Sequence, residues 1–206
     1  MLNADNVSCL RGERRLITAL NFTVQRGRLL AVTGENGSGK TSLLRMLCGL
    51  LPAEEGRILW HGEDVRACRE RYLASLIYIG HLNSLKDDLS PVENVTISAR
   101  LAGEEISEGK TCEALEAIGL APATHRLPTR ILSQGQKRRV SLARLWLSHR
   151  SLWILDEPFA ALDSSATDLL VQQLRSHLNN GGIVIAATHQ EIEVGVDCLD
   201  QLRLAG

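Results

Sequence analysis

The chain has 206 residues, of which 44% are hydrophobic, and its 23 Lys and Arg nearly balance 24 Asp and Glu to leave a formal net charge of −1. A core of ordinary size follows, in one domain or one domain with a subdomain, and the near-neutral balance excludes a nucleic-acid or anionic-lipid binder acting through bulk charge. Cys9, Cys48, Cys68, Cys112 and Cys198 are scattered and lack C-x-x-C spacing, so they read as reduced thiols and not as a disulfide framework or a zinc site.

In chain order, residues 7–10 and 22–24 read as short strands divided by a turn at Gly12, and a turn at Gly27 leads into the apolar run Leu29-Leu30-Ala31-Val32-Thr33. Gly34-Glu35-Asn36-Gly37-Ser38-Gly39-Lys40-Thr41 follows, and Ser42-Leu43-Leu44-Arg45-Met46-Leu47 continues as a helical pattern. Residues 57–60, closed by Gly62, form a further short strand, and the three short strands predict a small antiparallel sheet. The runs at 29–33, 76–79, 152–155 and 183–187 are almost wholly apolar and alternate with helical segments, as expected of parallel strands buried on both faces. Between residue 82 and about residue 147 the strand patterns give way to helical ones, with Val92-Glu93-Asn94-Val95 leading into one helix and residues 111–118 forming another. No charged N-terminal region precedes an apolar stretch, and no run approaches the roughly 18 apolar residues of a membrane span. The expectation is a cytosolic chain with no span of its own and no appended regulatory domain.

Strand, glycine-rich loop and helix in that order make residues 34–41 a P-loop in its proper context. Successive backbone N–H groups and the positive end of the helix favour a multiply charged anion. Gly34, Glu35, Asn36, Gly37, Ser38, Gly39, Lys40, Thr41 and Ser42 are therefore the candidate phosphate-binding residues, with Lys40 reaching the β- and γ-phosphates and the Thr41 hydroxyl placed to ligate Mg²⁺. The substrate class is a nucleoside triphosphate with Mg²⁺. The fold class is α/β, a P-loop NTPase (RecA-like) core with a small antiparallel β-subdomain and an inserted helical subdomain. Residues 1–81 and about 148–206 are expected to form the nucleotide-binding core of a single domain spanning 1–206, and about 82–147 the helical subdomain.

Ser151-Leu152-Trp153-Ile154-Leu155-Asp156-Glu157 is a buried-strand pattern ending in two carboxylates, which places them at the carboxyl edge of the sheet. Asp156 is expected to hold Mg²⁺ through water, and Glu157 to polarise the attacking water as catalytic base. Taken alone, a strand that ends in solvated acids is a common surface feature; downstream of a P-loop it is a site.

Leu132-Ser133-Gln134-Gly135-Gln136 has the spacing of a capping box and opens a helix over residues 134–147 with Val140, Ala143 and Leu147 on one face. The segment resembles the signature sequence of ATP-binding-cassette (ABC) ATPases. Ala161-Leu162-Asp163 resembles the D-loop of that family, and Thr188-His189 after the last apolar strand resembles its switch histidine. The motifs occur in family order over nearly the whole chain. The resemblance implies the ABC ATPase fold and a head-to-tail homodimer, in which Ser133, Gln134, Gly135 and Gln136 grip the γ-phosphate of ATP bound to the opposite subunit. Asp163 and His189 would complete the site, and integral-membrane transporter subunits would be the partners.

Two positions depart from the family pattern. The place of the Mg²⁺-contacting glutamine holds His81, in Ile79-Gly80-His81, and an imidazole can bind a metal or a water only when neutral. The aromatic that stacks on adenine is absent, with Arg11 of Leu10-Arg11-Gly12 offering a guanidinium plane or standing merely solvated. The His81 segment, Trp146 and Trp153 resemble the haem-exporter ATPases of cytochrome c maturation, which implies haem export or delivery, with release of a haem-loaded chaperone, at the cytoplasmic face of the bacterial inner membrane. Another cargo, such as a lipoprotein, and a soluble ABC protein without a transport role stand as alternatives.

Overall fold

The computed structural model describes residues 1–11, 14–189, 192 and 194–204, with the side chains of residues 11, 14 and 196 outside the description. Two compact units emerge, Met1–Tyr78 with Arg150–Glu157 and Arg175–Gly206, and Ile79–His149 with Pro158–Leu174.

The first unit holds two sheets. Strands β1 (Leu2–Arg11), β2 (Arg14–Val24), β4 (Glu55–Trp60) and β5 (Glu63–Asp64) make an antiparallel sheet in the order β2-β1-β4-β5. The predicted short strands at 7–10 and 22–24 are portions of much longer ones at opposite ends of the β1–β2 ladder, whose alternation is broken by register shifts between Ala4 and Val7 and between Val7 and Cys9. Bulges of this kind interrupt the period-2 pattern that sequence reading relies on. Gly56, at φ +80°, lies so close to the bulge that an added Cβ would stand 2.2 Å from the Asn6 carbonyl oxygen.

The second sheet, ordered β6-β7-β8-β3-β9, comprises β3 (Leu29–Thr33), β6 (Leu76–Ile79), β7 (Leu152–Asp156), β8 (Ile183–Ala187) and β9 (Leu199–Arg203). β3 pairs in parallel with β8 and β9, and β7 with β8. Every residue of β7 and β8 is buried, which is why these strands read as unbroken apolar runs. β9, Leu-Asp-Gln-Leu-Arg, is half-exposed and polar, and its pattern falls outside the expectation of a last strand at 183–187. Leu2, Val7, Leu43, Leu44, Ile154 and Ile185 meet in the core with essentially no exposure, each contributing about 1.5–3 kcal/mol of apolar burial. Helix α1 (Lys40–Leu47) follows β3, and α2 (Arg69–Ser75) precedes β6.

The second unit is helical, with α3 (Pro91–Leu101), α4 (Glu108–Ala117) and α5 (Gln134–Leu147). Ser90 and Glu93 complete a capping box around Pro91 at the start of α3. The unit is larger than the expected 82–147. It takes in residues 79–81 and also 158–174, which include the first part of α6 (Ser164–Asn179). Among the described residues no helix is long and apolar enough to cross a membrane.

Candidate active site

β3 delivers the chain into the loop at residues 34–39, where Gly34, Gly37 and Gly39 take φ of +146°, +85° and +99°. A Cβ on Gly34 would stand 2.7 Å from the Leu204 carbonyl oxygen, so the loop can pass there only as glycine. Lys40 is 8% exposed. Its Nζ donates to the carbonyls of Gly34 at 2.9 Å and Glu35 at 3.0 Å, which folds the ammonium over the loop it belongs to. Ser38 Oγ is buried without a hydrogen-bond partner among the described residues, an orphan of the kind that a bound oxyanion satisfies.

The end of β7 meets the start of α1. Thr41 Oγ1 donates to Asp156 Oδ2 at 3.0 Å, and Asp156 is 2% exposed. A hydroxyl and a carboxylate, both hard oxygen donors, fit a Mg²⁺ completed by phosphates and water. Glu157 leaves the sheet with φ +48°, in a left-handed region unusual for any side chain and more so before a proline. Its N–H still donates to Ala187 O at 2.9 Å, so the ladder ends only after Glu157 is placed. Glu157 Oε1 lies 3.3 Å from His189 Nε2, carried one residue beyond Thr188, whose N–H donates to Val32 O at 3.2 Å. The P-loop, Asp156, Glu157 and His189 are thus brought together within one unit.

His81, Ser133 to Gln136 and Asp163 belong to the other unit. His81 is exposed on the bend after β6. Ser133 caps α5, accepting from the Gln136 N–H at 3.2 Å while its own N–H donates to Gln136 Oε1 at 2.9 Å. A Cβ on Gly135 would stand 2.7 Å from the Ala161 carbonyl oxygen, where Ala161 has φ +62°. Glycine at 135 is therefore required by packing within the chain itself, a reason the sequence does not show. Asp163 caps α6 by accepting from the Ala166 N–H at 2.9 Å and receives Arg139 at 2.5 Å; the Ala166 N–H first, and the guanidinium after it, hold its carboxyl below the usual range. Arg139 was invisible to motif reading because it continues a basic helical stretch with no spacing of its own. The side chain of Arg11 lies outside the described residues.

Residues 17–160 match the ABC transporter family. The cytochrome c biogenesis ATP-binding export protein CcmA of Dechloromonas aromatica is 50% identical over 204 residues, 99% of this chain and 100% of the relative. The protein of the same description from Nitrosomonas europaea is 49% identical over 205 residues, 100% of this chain and 96% of the relative. Among solved structures, a dimeric ATP-binding cassette in a post-hydrolysis state bound to ADP and Pi aligns with a TM-score of 0.84 at 21% identity, over 99% of this chain and 96% of that one. That last likeness is one of fold.

Proposed function

The chain belongs to the ABC transporter family, and from that premise we propose that it is the ATP-hydrolysing subunit of an export complex that serves c-type cytochrome biogenesis. The observation that carries the ATPase reading is the meeting of Thr41 with Asp156 and of Glu157 with His189 beside the P-loop in one unit.

Lys40 exchanges its two neutral loop carbonyls for anionic β- and γ-phosphate oxygens, so that both donor and acceptor are charged. Thr41 and Asp156 would hold Mg²⁺, which when bound supplies charge neutralisation at the phosphates. Glu157 accepts the proton of the attacking water, and His189 Nε2 orients the carboxylate from its 3.3 Å contact. Ser133, Gln134, Gly135 and Gln136 of one protomer contact the γ-phosphate held by the other, so hydrolysis removes contacts that favour the closed dimer. His81 senses the same centre from the glutamine position, Asp163 lies at the dimer interface, and Arg11 remains the candidate for the adenine on sequence grounds alone.

The export role is supported by full-length similarity to cytochrome c biogenesis ATP-binding export proteins. In this reading the dimer sits peripherally at the cytoplasmic face of the bacterial inner membrane and drives integral-membrane subunits in haem export or delivery and release of a haem-loaded chaperone. Purification from membranes in mild detergent tests it. Recovery with integral-membrane cytochrome c biogenesis subunits is expected, and recovery with lipoprotein-release subunits, or with none, overturns the assignment.

A further inference from the structure

Within the second unit, the chain leaving β6 and the chain leaving Glu157 are gripped by one buried side chain. Arg138 lies on α5 beyond the signature residues and is 3% exposed. Its Nη1 donates to Gly80 O at 2.9 Å and to Asn83 Oδ1 at 3.4 Å, and its Nε donates to Pro158 O at 3.4 Å. Gly80 immediately precedes His81, and Pro158 immediately follows Glu157.

Burying a guanidinium is costly unless its donors are used. Here two of them are used on main-chain carbonyls next in sequence to two candidate catalytic residues. The planar fork fixes the relative orientation of the groups it binds, which a lysine ammonium does not. Glu157 makes such fixing necessary, because its φ of +48° before a proline persists only where the surroundings over-determine it. The N–H of Glu157 is anchored to Ala187 O, and the carbonyl of the next residue is anchored to Arg138. The His81 segment is pinned at its far end as well. Asn94 accepts from the Lys86 N–H at 2.7 Å and donates to Leu89 O and Ser90 O at 3.2 and 3.1 Å.

We propose that Arg138 is a positioning residue for ATP hydrolysis, holding the backbone beside Glu157 and beside His81 in fixed register with the signature helix. The proposal rests on the ATPase reading. Arg138→Met keeps the stem and removes the donors, Arg138→Lys keeps the charge without the fork, and Asn83→Ala removes one acceptor. Each is made in the full chain, with sites counted by titration with a fluorescent ATP analogue and steady-state turnover expressed per binding-competent site. In Arg138→Met, kcat per site should fall on the order of 10- to 100-fold while nucleotide affinity and KM stay within about 2-fold. Arg138→Lys should recover part of the loss, and Asn83→Ala should show the smallest one.

A merely structural arginine would instead lower the number of competent sites and the Tm and leave kcat per site unchanged; that result overturns the proposal. Should Arg138→Met fail to fold, wild-type kcat per site in Arg138→Lys overturns it equally. Wild-type chain and Lys40→Ala are measured alongside. Turnover absent from the wild type, or untouched by Lys40→Ala, overturns the ATPase reading and this proposal with it, whereas robust wild-type turnover undiminished in Arg138→Met overturns the proposal alone.

Discussion

Helix α1 begins behind Gly39, which has no side chain to cap it, and its first turn carries no acidic residue. Helix α5 begins behind Ser133 with both halves of a capping box made. The leading N–H groups of α1 are therefore available to an anion as the chain stands, with the orphaned Ser38 hydroxyl beside them. Those of α5 are partly consumed, because the Ser133 hydroxyl already accepts from Gln136. The Ser133 hydroxyl accepts there through a lone pair and keeps its own O–H for a further acceptor. The start of α1 is thus uncapped, whereas that of α5 is capped from within its own unit.

The largest effect expected from this contrast falls on chemistry at the end of β7. Glu157→Gln retains shape and hydrogen bonding but weakens the base, so turnover should fall on the order of 10²-fold or more. ATP should still bind, and a dimer should accumulate in gel filtration with Mg·ATP. Near-normal turnover would remove Glu157 from the role of base. Lys40→Ala comes next. Losing charge-assisted hydrogen bonds of about 1.5–3 kcal/mol should weaken ATP binding roughly 10- to 100-fold in the isolated chain, and a titration showing unchanged affinity would break the claim that α1 holds the phosphates.

The parts of this arrangement that were legible in the sequence share one property, which is that local spacing dictates them. The P-loop is fixed by glycines at turns and a helix behind them, and Asp156 and Glu157 by the end of an unbroken apolar run. The capping box was equally readable, since Ser133 and Gln136 satisfy each other. What stayed hidden depends on contacts distant in sequence. Arg138 reads as one more solvated cation in a basic stretch until Gly80 and Pro158 are brought to it. The left-handed backbone of Glu157 contradicts every local preference, as functional positions do. β9 and the bulged parts of β1 and β2 were missed or shortened because neither keeps an uninterrupted strand period.

Within the signature helix, substitutions should act on stability and on dimer-dependent turnover, not on the affinity of a single chain. Gly135→Ala places a Cβ 2.7 Å from the Ala161 carbonyl oxygen, and relieving that overpacking should cost about 1–3 kcal/mol, seen as a lowered midpoint in denaturant. Ser133→Ala removes the cap without overpacking and should cost about 1 kcal/mol of stability, together with the dimer-dependent turnover that its hydroxyl supports. Both variants should bind ATP as the wild type does. If either weakened binding as much as Lys40→Ala, the division of labour between α1 and α5 would be wrong.

The smallest effect at neutral pH, and one that grows with acid, belongs to the unit that carries α1. His177 stacks on Trp153 of β7 with ring centroids 3.8 Å apart and planes 10° apart. Its Nε2 is buried without a hydrogen-bond partner among the described residues, and a Cβ on Gly182 would come within 2.2 Å of that nitrogen. Burial lowers its pKa to about 4 from an ordinary 6.5. Because the folded value is the lower one, protonation favours the unfolded chain. The contribution of neutral His177 is complete above pH 6.5, declines as pH falls toward about 4, and changes no further below that. Carboxylates held low by their partners, such as Asp200 beside Arg28, act in the same direction at more acid pH. His61, also lowered chiefly by burial, adds to the loss near neutrality. His177→Gln removes the titration and should flatten the fall in denaturant midpoint between pH 6.5 and about 4 relative to the wild type. Hydrogen exchange near pH 5 should place the acid-sensitive opening at the residues of β7 and β8 and leave α3 to α5 protected. Equal slopes in wild type and His177→Gln, or loosening that begins in the helices, would show that the two units do not differ in their response to acid through this stack.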